Sequence, residues 1–310
     1  MALDGGMARI WLVPAAAVLV LISSCGGQPA SGPAPTTTTP AVPPGSALVV
    51  KIDNVAAARP QTGLGAADVV YVEPVEGGLT RIAAVYLGKL PPVIGPVRSA
   101  RETDIDMLGQ YGRPTLACSG SAPQLVPLLR NAGMDTGCQS AVAGAYFRDN
   151  SRTAPHDLYL HPDQLPKGTG PITQELTGTA PAGGTPTTKQ HEQVASVGFD
   201  FEWSDQKWLI SMDGTPLTTT DGGRLGAATV VVQHVTTRAG TVPGDVAGNP
   251  SPVAVTVGSG PATVLRDGQS FQATWSRPSR TDATVFADAA GRAVPMATGP
   301  LWILLAPAGA

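Results

Sequence analysis

Asp68-Val-Val-Tyr-Val-Glu-Pro-Val-Glu-Gly-Gly-Leu-Thr-Arg-Ile-Ala-Ala-Val-Tyr-Leu87 holds the first decision about the fold. Its two ends, Asp68–Val72 and Leu79–Leu87, are rich in β-branched and aromatic residues, the composition of strands. Gly77-Gly78 breaks the chain between them. Working back, Ala47-Leu-Val-Val-Lys-Ile52 reads as an earlier strand. Working forward, Thr103–Tyr111 predicts a helix capped by Thr103, with Asp104 and Asp106 favoured by the helix dipole. Ser121–Asn131 predicts a second, with Ser121 as N-cap, Pro123 in the first turn, Pro127 as an interior irregularity and Gly133 as the stop. Residues 46–165 therefore read as an α/β or α+β domain.

The second half changes character. Phe199-Asp-Phe-Glu-Trp203 alternates with period two, and Thr229–Val235 is another β-branched run. Pro261–Arg266 and Gln269–Trp275 flank Asp267-Gly268, a two-residue hairpin signal because both turn residues need positive φ. Asp213-Gly214 reads as a second such turn. Residues 199–310 are thus expected to be mostly β. Residues 166–198 include Pro-Ala-Gly-Gly-Thr-Pro-Thr-Thr at 181–188 and read as a linker or long loop. An aromatic census agrees with two halves. All five Tyr lie between Tyr71 and Tyr159, and every Trp beyond Trp11 lies between Trp203 and Trp302.

The amino-terminal segment concerns location. Ile10–Ile22 is apolar but too short for a bilayer-spanning helix, which needs about 20 residues; it suits a signal-peptide core. Leu21-Ile-Ser-Ser-Cys25 resembles a bacterial lipobox, which implies a signal peptide at 1–24 and acyl chains on Cys25. Two or more buried chains anchor a protein stably, at about 0.8 kcal/mol per CH₂. The expected location is the extracytoplasmic face of the cell membrane. Met7-Ala-Arg9 makes a cleaner start to such a signal than Met1, because Asp4 is out of place in a basic n-region. Residues 25–45, with six Pro and the Thr36–Thr39 run that is a candidate for glycosylation, read as a disordered tether. Cys118 and Cys138 are the two cysteines left after processing, and outside the cytosol they read as one disulfide. Gly137-Cys138 also suggests the thiol of wall-crosslinking L,D-transpeptidases. Asp135-Thr136 before it and Gln139-Ser140 after it depart from that family's Ser-His and Arg.

Composition excludes several classes of function. Over 310 residues the chain has 20 Lys+Arg against 23 Asp+Glu, a net charge of −3 and 14% charged residues. A face that displaces counterions from a nucleic-acid duplex needs far more basic residues, so no nucleic-acid partner is expected. A hydrophobic share of 42% is enough for a real core. No Walker A loop, Gly-x-Ser-x-Gly elbow or His-Glu-x-x-His helix occurs, and His156, His161, His191 and His234 are scattered without zinc spacing. Neither a metal nor a cofactor is implied.

In so uncharged a chain the polar groups cluster. Lys51-Ile-Asp53-Asn54, Glu73-Pro-Val-Glu76, Thr80-Arg81, Arg98-Ser99-Ala-Arg101 and His156-Asp157 punctuate apolar surroundings. Arg98 and Arg101 are three apart, so one helical turn would put both guanidinium groups on a single face, suited to carboxylate or phosphate oxygens. Three readings stand open. Arg81, Arg98, Ser99, Arg101, Asp53 and Asn54 form a ligand-binding pocket; Glu73 and Glu76 with His156 supply acid–base chemistry; or the charges neutralise one another in a structural network.

The same segments carry a family resemblance. Val50–Asn54, Arg59–Gly63, Ala67–Tyr71, Val75–Arg81, Gly95–Arg101 and Ala154–Tyr159 resemble the YerB-type bacterial lipoproteins. Gly258-Ser-Gly260, Leu265–Gly268, Ala273–Arg277 and Phe286–Gly291 through Trp302 look like that family's carboxy-terminal domain. Where the family often has Asn after His, this chain has Asp157. The resemblance implies a two-domain, membrane-anchored lipoprotein and no particular reaction. The expectation is a binding protein rather than an enzyme, whose partner is an anionic cell-wall polymer or an envelope protein. The alternative is an envelope hydrolase or transferase using Glu73 or Glu76 and His156.

Overall fold

The structure, a computed structural model, describes residues 45–134, 136–173, 177–244 and 248–308. The signal peptide, Cys25, the Thr run and nearly all of the tether lie outside the described residues. The amino-terminal half supplies β1 (Leu48–Asp53), β2 (Val69–Pro74), β3 (Thr80–Tyr86) and β4 (Thr115–Ala117), with helices α1 (Thr103–Met107) and α2 (Val126–Asn131) and a hairpin of β5 (Tyr146–Arg148) and β6 (Leu158–Leu160). The carboxy-terminal half is mostly strands. It begins with β7 (Thr185–Pro186), β8 (Lys189–Val194), β9 (Val197–Ser204) and β10 (Lys207–Met212), followed by the short β11 (Thr215–Pro216), β12 (Thr218–Thr219), β13 (Gly222–Arg224) and β14 (Gly226–Ala227). It continues with β15 (Thr229–Val235), β16 (Thr237–Pro243), β17 (Pro250–Ala254), β18 (Gly258–Arg266), β19 (Gln269–Arg277), β20 (Val285–Ala287) and β21 (Leu301–Pro307).

Strands from both halves share one ten-stranded sheet in the order β20-β19-β18-β15-β21-β2-β3-β1-β4, with β7 on β19. The join is made by β21, which runs parallel to β15 on one side and to β2 on the other. The β-branched runs explain this centre. β1, β2, β3 and β21 are buried along almost their whole length, as strands covered on both faces must be. Side chains alternate between two cores. Val50, Ile52, Val72, Ile82, Val232 and Leu304 face the smaller sheet β11-β10-β9-β8, meeting Phe199, Phe201, Trp208 and Ile210. Val49, Tyr71, Val85, Val231 and Ile303 face the other way, onto Met107 and Leu108 near α1 and Leu129 of α2.

Both hairpin signals hold. Asp267 and Gly268 have φ of 51° and 69° between β18 and β19, and Asp213 and Gly214 have 50° and 72° between β10 and β11. Three local expectations change. Thr103 is the first residue of α1, not its cap, and its hydroxyl accepts a hydrogen bond from the Ala254 amide. α2 starts at Val126 rather than near Ser121, so Pro127 falls in the first turn, where its missing N–H costs nothing. Within the stretch read as a linker, Lys189–Val194 is a strand. Its residues are mainly polar and exposed, so no apolar period marks it; pairing with β9 along its full length holds it instead.

Cys118, at the end of β4, and Cys138 are joined in a disulfide across a separation of 20 residues. The thiol of Cys138 is therefore engaged. A loop of that size confers about 3 kcal/mol on a chain-entropy argument. Cys118→Ser with Cys138→Ser is expected to lower the unfolding free energy by about that amount in urea denaturation. An unchanged midpoint would show that the loop is held by other contacts.

Candidate functional site

Period two decides which side chains meet. Lys51 and Asp53 of β1 share the face of Val49; Glu73 shares that of Tyr71, and Arg81 that of Ala83 and Val85. All four therefore project from the α1 side of the sheet. Register then aligns them, with Asp53 opposite Arg81 and Arg81 opposite Glu73.

Lys51 is fully buried. Its ammonium donates to Asp104 Oδ1 of α1 at 2.7 Å and to Glu73 Oε1, and both acids are also buried. The other oxygen of Asp104 accepts the Arg101 amide at 2.8 Å, while Glu73 Oε2 has no hydrogen-bond partner. One ammonium cannot balance two carboxylates away from water. Burial pushes the Glu73 carboxyl up to about 7, Lys51 opposes that shift and Asp104 adds to it.

Asp53 gathers a second group. His156 Nδ1 lies 2.8 Å from its Oδ2, and Arg98 Nε lies 3.0 Å from the same oxygen as an ion pair. The Arg98 amide donates to the Lys51 carbonyl at 2.8 Å, which fixes the Gly95–Ser99 loop beside β1. Gly95 is needed there because a Cβ would come within 2.5 Å of the Tyr159 ring. The peptide bonds before Pro60, Pro96 and Pro155 are cis. Asn54 is buried and points elsewhere. It donates to Thr80 Oγ1 at 2.9 Å and accepts from Gln61 Nε2 at 3.2 Å, so it ties the end of β1 to neighbouring chain and is not open to a ligand. Asp157 accepts a hydrogen bond from Arg148 Nη1 at 2.5 Å.

A third group links the two halves. Arg101 clasps Glu76 through two nitrogens, Nε at 2.9 Å from Oε2 and Nη2 on Oε1, and Ser251 of β17 donates to the same carboxylate. Burial alone would raise the Glu76 carboxyl, but the hydrogen bonds from Arg101 and Ser251 hold it at about 2. Arg81 lies beneath, with Nη1 donating to the Ser99 carbonyl at 3.3 Å and a buried Nε without a partner. Burial first, and the charge of Arg101 second, bring its guanidinium down to about 10.

Above these groups an open cleft of about 610 Å³ is lined by Glu76, Arg98, Ser99, Arg101, Ser121 and Gln124, among others. Arg98 is its distinctive member. Its Nε faces Asp53 as an ion pair without a hydrogen bond, its side chain is 29% exposed, and its terminal nitrogens carry no hydrogen bond among the described residues. The structure thus brings Arg81, Arg98, Ser99, Arg101 and Asp53 together and leaves Asn54 apart. Glu73, Glu76 and His156 are each matched to a different partner, Lys51, Arg101 and Asp53 respectively, rather than to one another. Sequence reasoning gave no site role to Lys51, Asp104, Ser121 or Ser251, although it placed Lys51 in the polar cluster and Asp104 and Ser121 at helix starts. Only Lys51 carried a signal, as a lone charge inside a β-branched run.

Comparison with known proteins fits this picture. Residues 35–172 match the family described as "Protein of unknown function (DUF3048) N-terminal domain", and residues 187–303 match its C-terminal domain. "Putative lipoprotein YerB" of Bacillus subtilis (strain 168) is 31% identical over 121 residues, which is 39% of this chain and 36% of that protein. The match thus spans about a third of the relative's length. The crystal structure of YerB protein from Bacillus subtilis superposes with a TM-score of 0.70 at 20% identity, over 85% of this chain and 91% of that one, a likeness of fold.

Two carboxylates with opposite shifts predict two pH windows. Glu73 is raised from 4.5 to about 7, so the stability it confers is present below pH 4.5 and lost as pH rises through 7. Glu76 is lowered from 4.5 to about 2, so its contribution is present above pH 4.5 and lost as pH falls towards 2. Denaturation at pH 5 and pH 8 is expected to show the wild type losing stability, by no more than about 1.4 kcal/mol per pH unit, relative to Glu73→Gln. Equal slopes in both chains would remove Glu73 as the cause.

Proposed function

The chain belongs to the DUF3048 family, and on that premise we propose that it is a lipid-anchored cell-envelope lipoprotein whose Arg98 cleft binds an anionic group of an envelope component. The lipobox-like Leu21–Cys25 and the name of the Bacillus relative, a lipoprotein, support the anchor. One observation carries the binding reading. Arg98 lies beside Asp53 as an ion pair, without a hydrogen bond from its buried Nε, and its two terminal nitrogens have no hydrogen-bond partner among the described residues. A guanidinium fork matches two oxygens of a phosphate or carboxylate and forms charge-assisted hydrogen bonds with them. Gln124 in the same cleft adds a neutral donor. Arg101 contributes position rather than contact, because Glu76 already occupies it.

Calorimetric titration of the full chain with inorganic phosphate and glycerol-phosphate oligomers at low salt tests this. Dissociation constants on the order of 1 mM are expected, weakening as salt screens the charge. Arg98→Ala is expected to weaken binding about tenfold, the scale of one lost charge-assisted contact, while Asp53 keeps His156 beside it. Arg101→Ala is expected instead to destabilise the fold by about 2 kcal/mol by stranding Glu76. Phosphate binding unchanged in Arg98→Ala would end the reading. The anchor has its own test. Cys25→Ser is expected to move the protein from the membrane fraction to the soluble fraction, and retention at the membrane would count against acylation.

A further inference from the structure

We propose that a groove on the carboxy-terminal half, passing Trp203 and Gln206, is a binding site for an uncharged saccharide chain. It shares no residue with the Arg98 cleft and stands on separate observations. Two open clefts, of about 610 Å³ and 570 Å³, meet at Gln206 and Ala228. Between them lies the turn joining β9 to β10, in which Asp205 and Gln206 have φ of 51° and 60°. Turns of this kind favour Asn-Gly, and a residue with a long side chain held at positive φ costs roughly 1 kcal/mol or more. That strain sets an exposed amide, free of hydrogen bonds to the protein, in the wall of both clefts. Strain of this sort gathers where geometry serves a ligand.

The second cleft has an aromatic wall. Trp203 is half-buried, its ring 5.3 Å from that of Trp208 at 54°. On the side of the β18–β19 turn, Gly268 approaches so closely that a Cβ would lie 2.8 Å from Trp203 Nε1. The indole is thus wedged in one orientation and still borders the cleft, so a ligand meets an aromatic surface with little entropy left to lose. Arg266 and Asp267 line the same cleft. The Arg266 side chain is 5% exposed and is fixed by Asp267 Oδ2 at 2.8 Å, by the Gly178 carbonyl at 2.9 Å and by the Pro295 carbonyl. Asp267 is 49% exposed, with its other oxygen open to solvent, and the hydroxyls of Thr179 and Thr298 are likewise unbonded within the protein.

This set of groups selects a chemistry. Arg266 and Asp267 cancel in charge, which disfavours a phosphate polymer. An amide, two hydroxyls and a carboxylate oxygen left unpaired around one ring disfavour a purely apolar ligand. A pyranose offers what fits, an apolar C–H face for the indole and a rim of hydroxyls for the polar groups. The continuation of the groove past Gln206 gives room for more than one ring.

The test titrates the full chain, in a detergent without a sugar head group, with two probes: a β-linked N-acetylglucosamine trimer and an α-linked mannotriose. Tryptophan fluorescence and calorimetry report binding. At least one trimer is expected to bind saturably with a millimolar dissociation constant. Gln206→Ala and Asp267→Asn, both in exposed turns, are each expected to weaken that binding about fivefold, the scale of one lost hydrogen bond, and Gln206→Ala to do so with no change in melting temperature. Failure of both trimers to saturate the signal by about 20 mM would overturn the proposal. So would saturable binding that neither substitution weakens.

Discussion

The ammonium of Lys51 lies between the carboxyl groups of Glu73 and Asp104, and water reaches none of the three. A charge in that position is tolerable only while its partners stay within hydrogen-bond reach, and removing one partner from such a group costs about 3–5 kcal/mol. The requirement therefore spreads. Asp104 must sit over the sheet, which fixes the start of α1, and its second oxygen holds the Arg101 amide. Arg101 in turn grips Glu76, and Glu76 accepts from Ser251 in the other half of the chain. The wall of the Arg98 cleft is thus the outer end of a chain of contacts that begins in the sheet.

Much of the framework could be read directly from residue patterns. β15 matches the Thr229–Val235 run end to end, and Asp267-Gly268 turns where a two-residue hairpin was expected, because strand composition and turn chemistry are local properties. β8 was missed because an edge strand of polar residues shows no apolar period, and α2 was placed too early because Pro127 sets its first turn. The candidate site was half visible. The clustering of Arg81, Arg98, Arg101, Glu73 and Glu76 stood out against a weakly charged background. Which acid meets which base did not, because Lys51 and Asp104 are 53 residues apart and Glu76 and Ser251 are 175 apart. Such pairings are set by register and packing, which no short window records.

The chain's few charges do different work at different depths. In the sheet, Lys51 bonds both Glu73 and Asp104, and burial raises the Glu73 carboxyl to about 7. At mid-depth, Arg101 and Glu76 form a clasp that stays ionised down to strong acid. At the surface, Arg98 keeps part of its donor set unspent. Depth, more than residue type, separates the guanidinium that holds the fold from the one able to meet a ligand.

β21 lies between β15 and β2, so residues 301–307 complete the hydrogen bonding of a strand more than two hundred positions earlier. During synthesis or export, the β2 edge has no neighbour on that side until nearly all of the chain has emerged. Until then an apolar strand with unpaired amides is open to wrong pairing, the kind of hazard that high contact order brings. The strand at 301–307 acts as the bolt that closes this sheet.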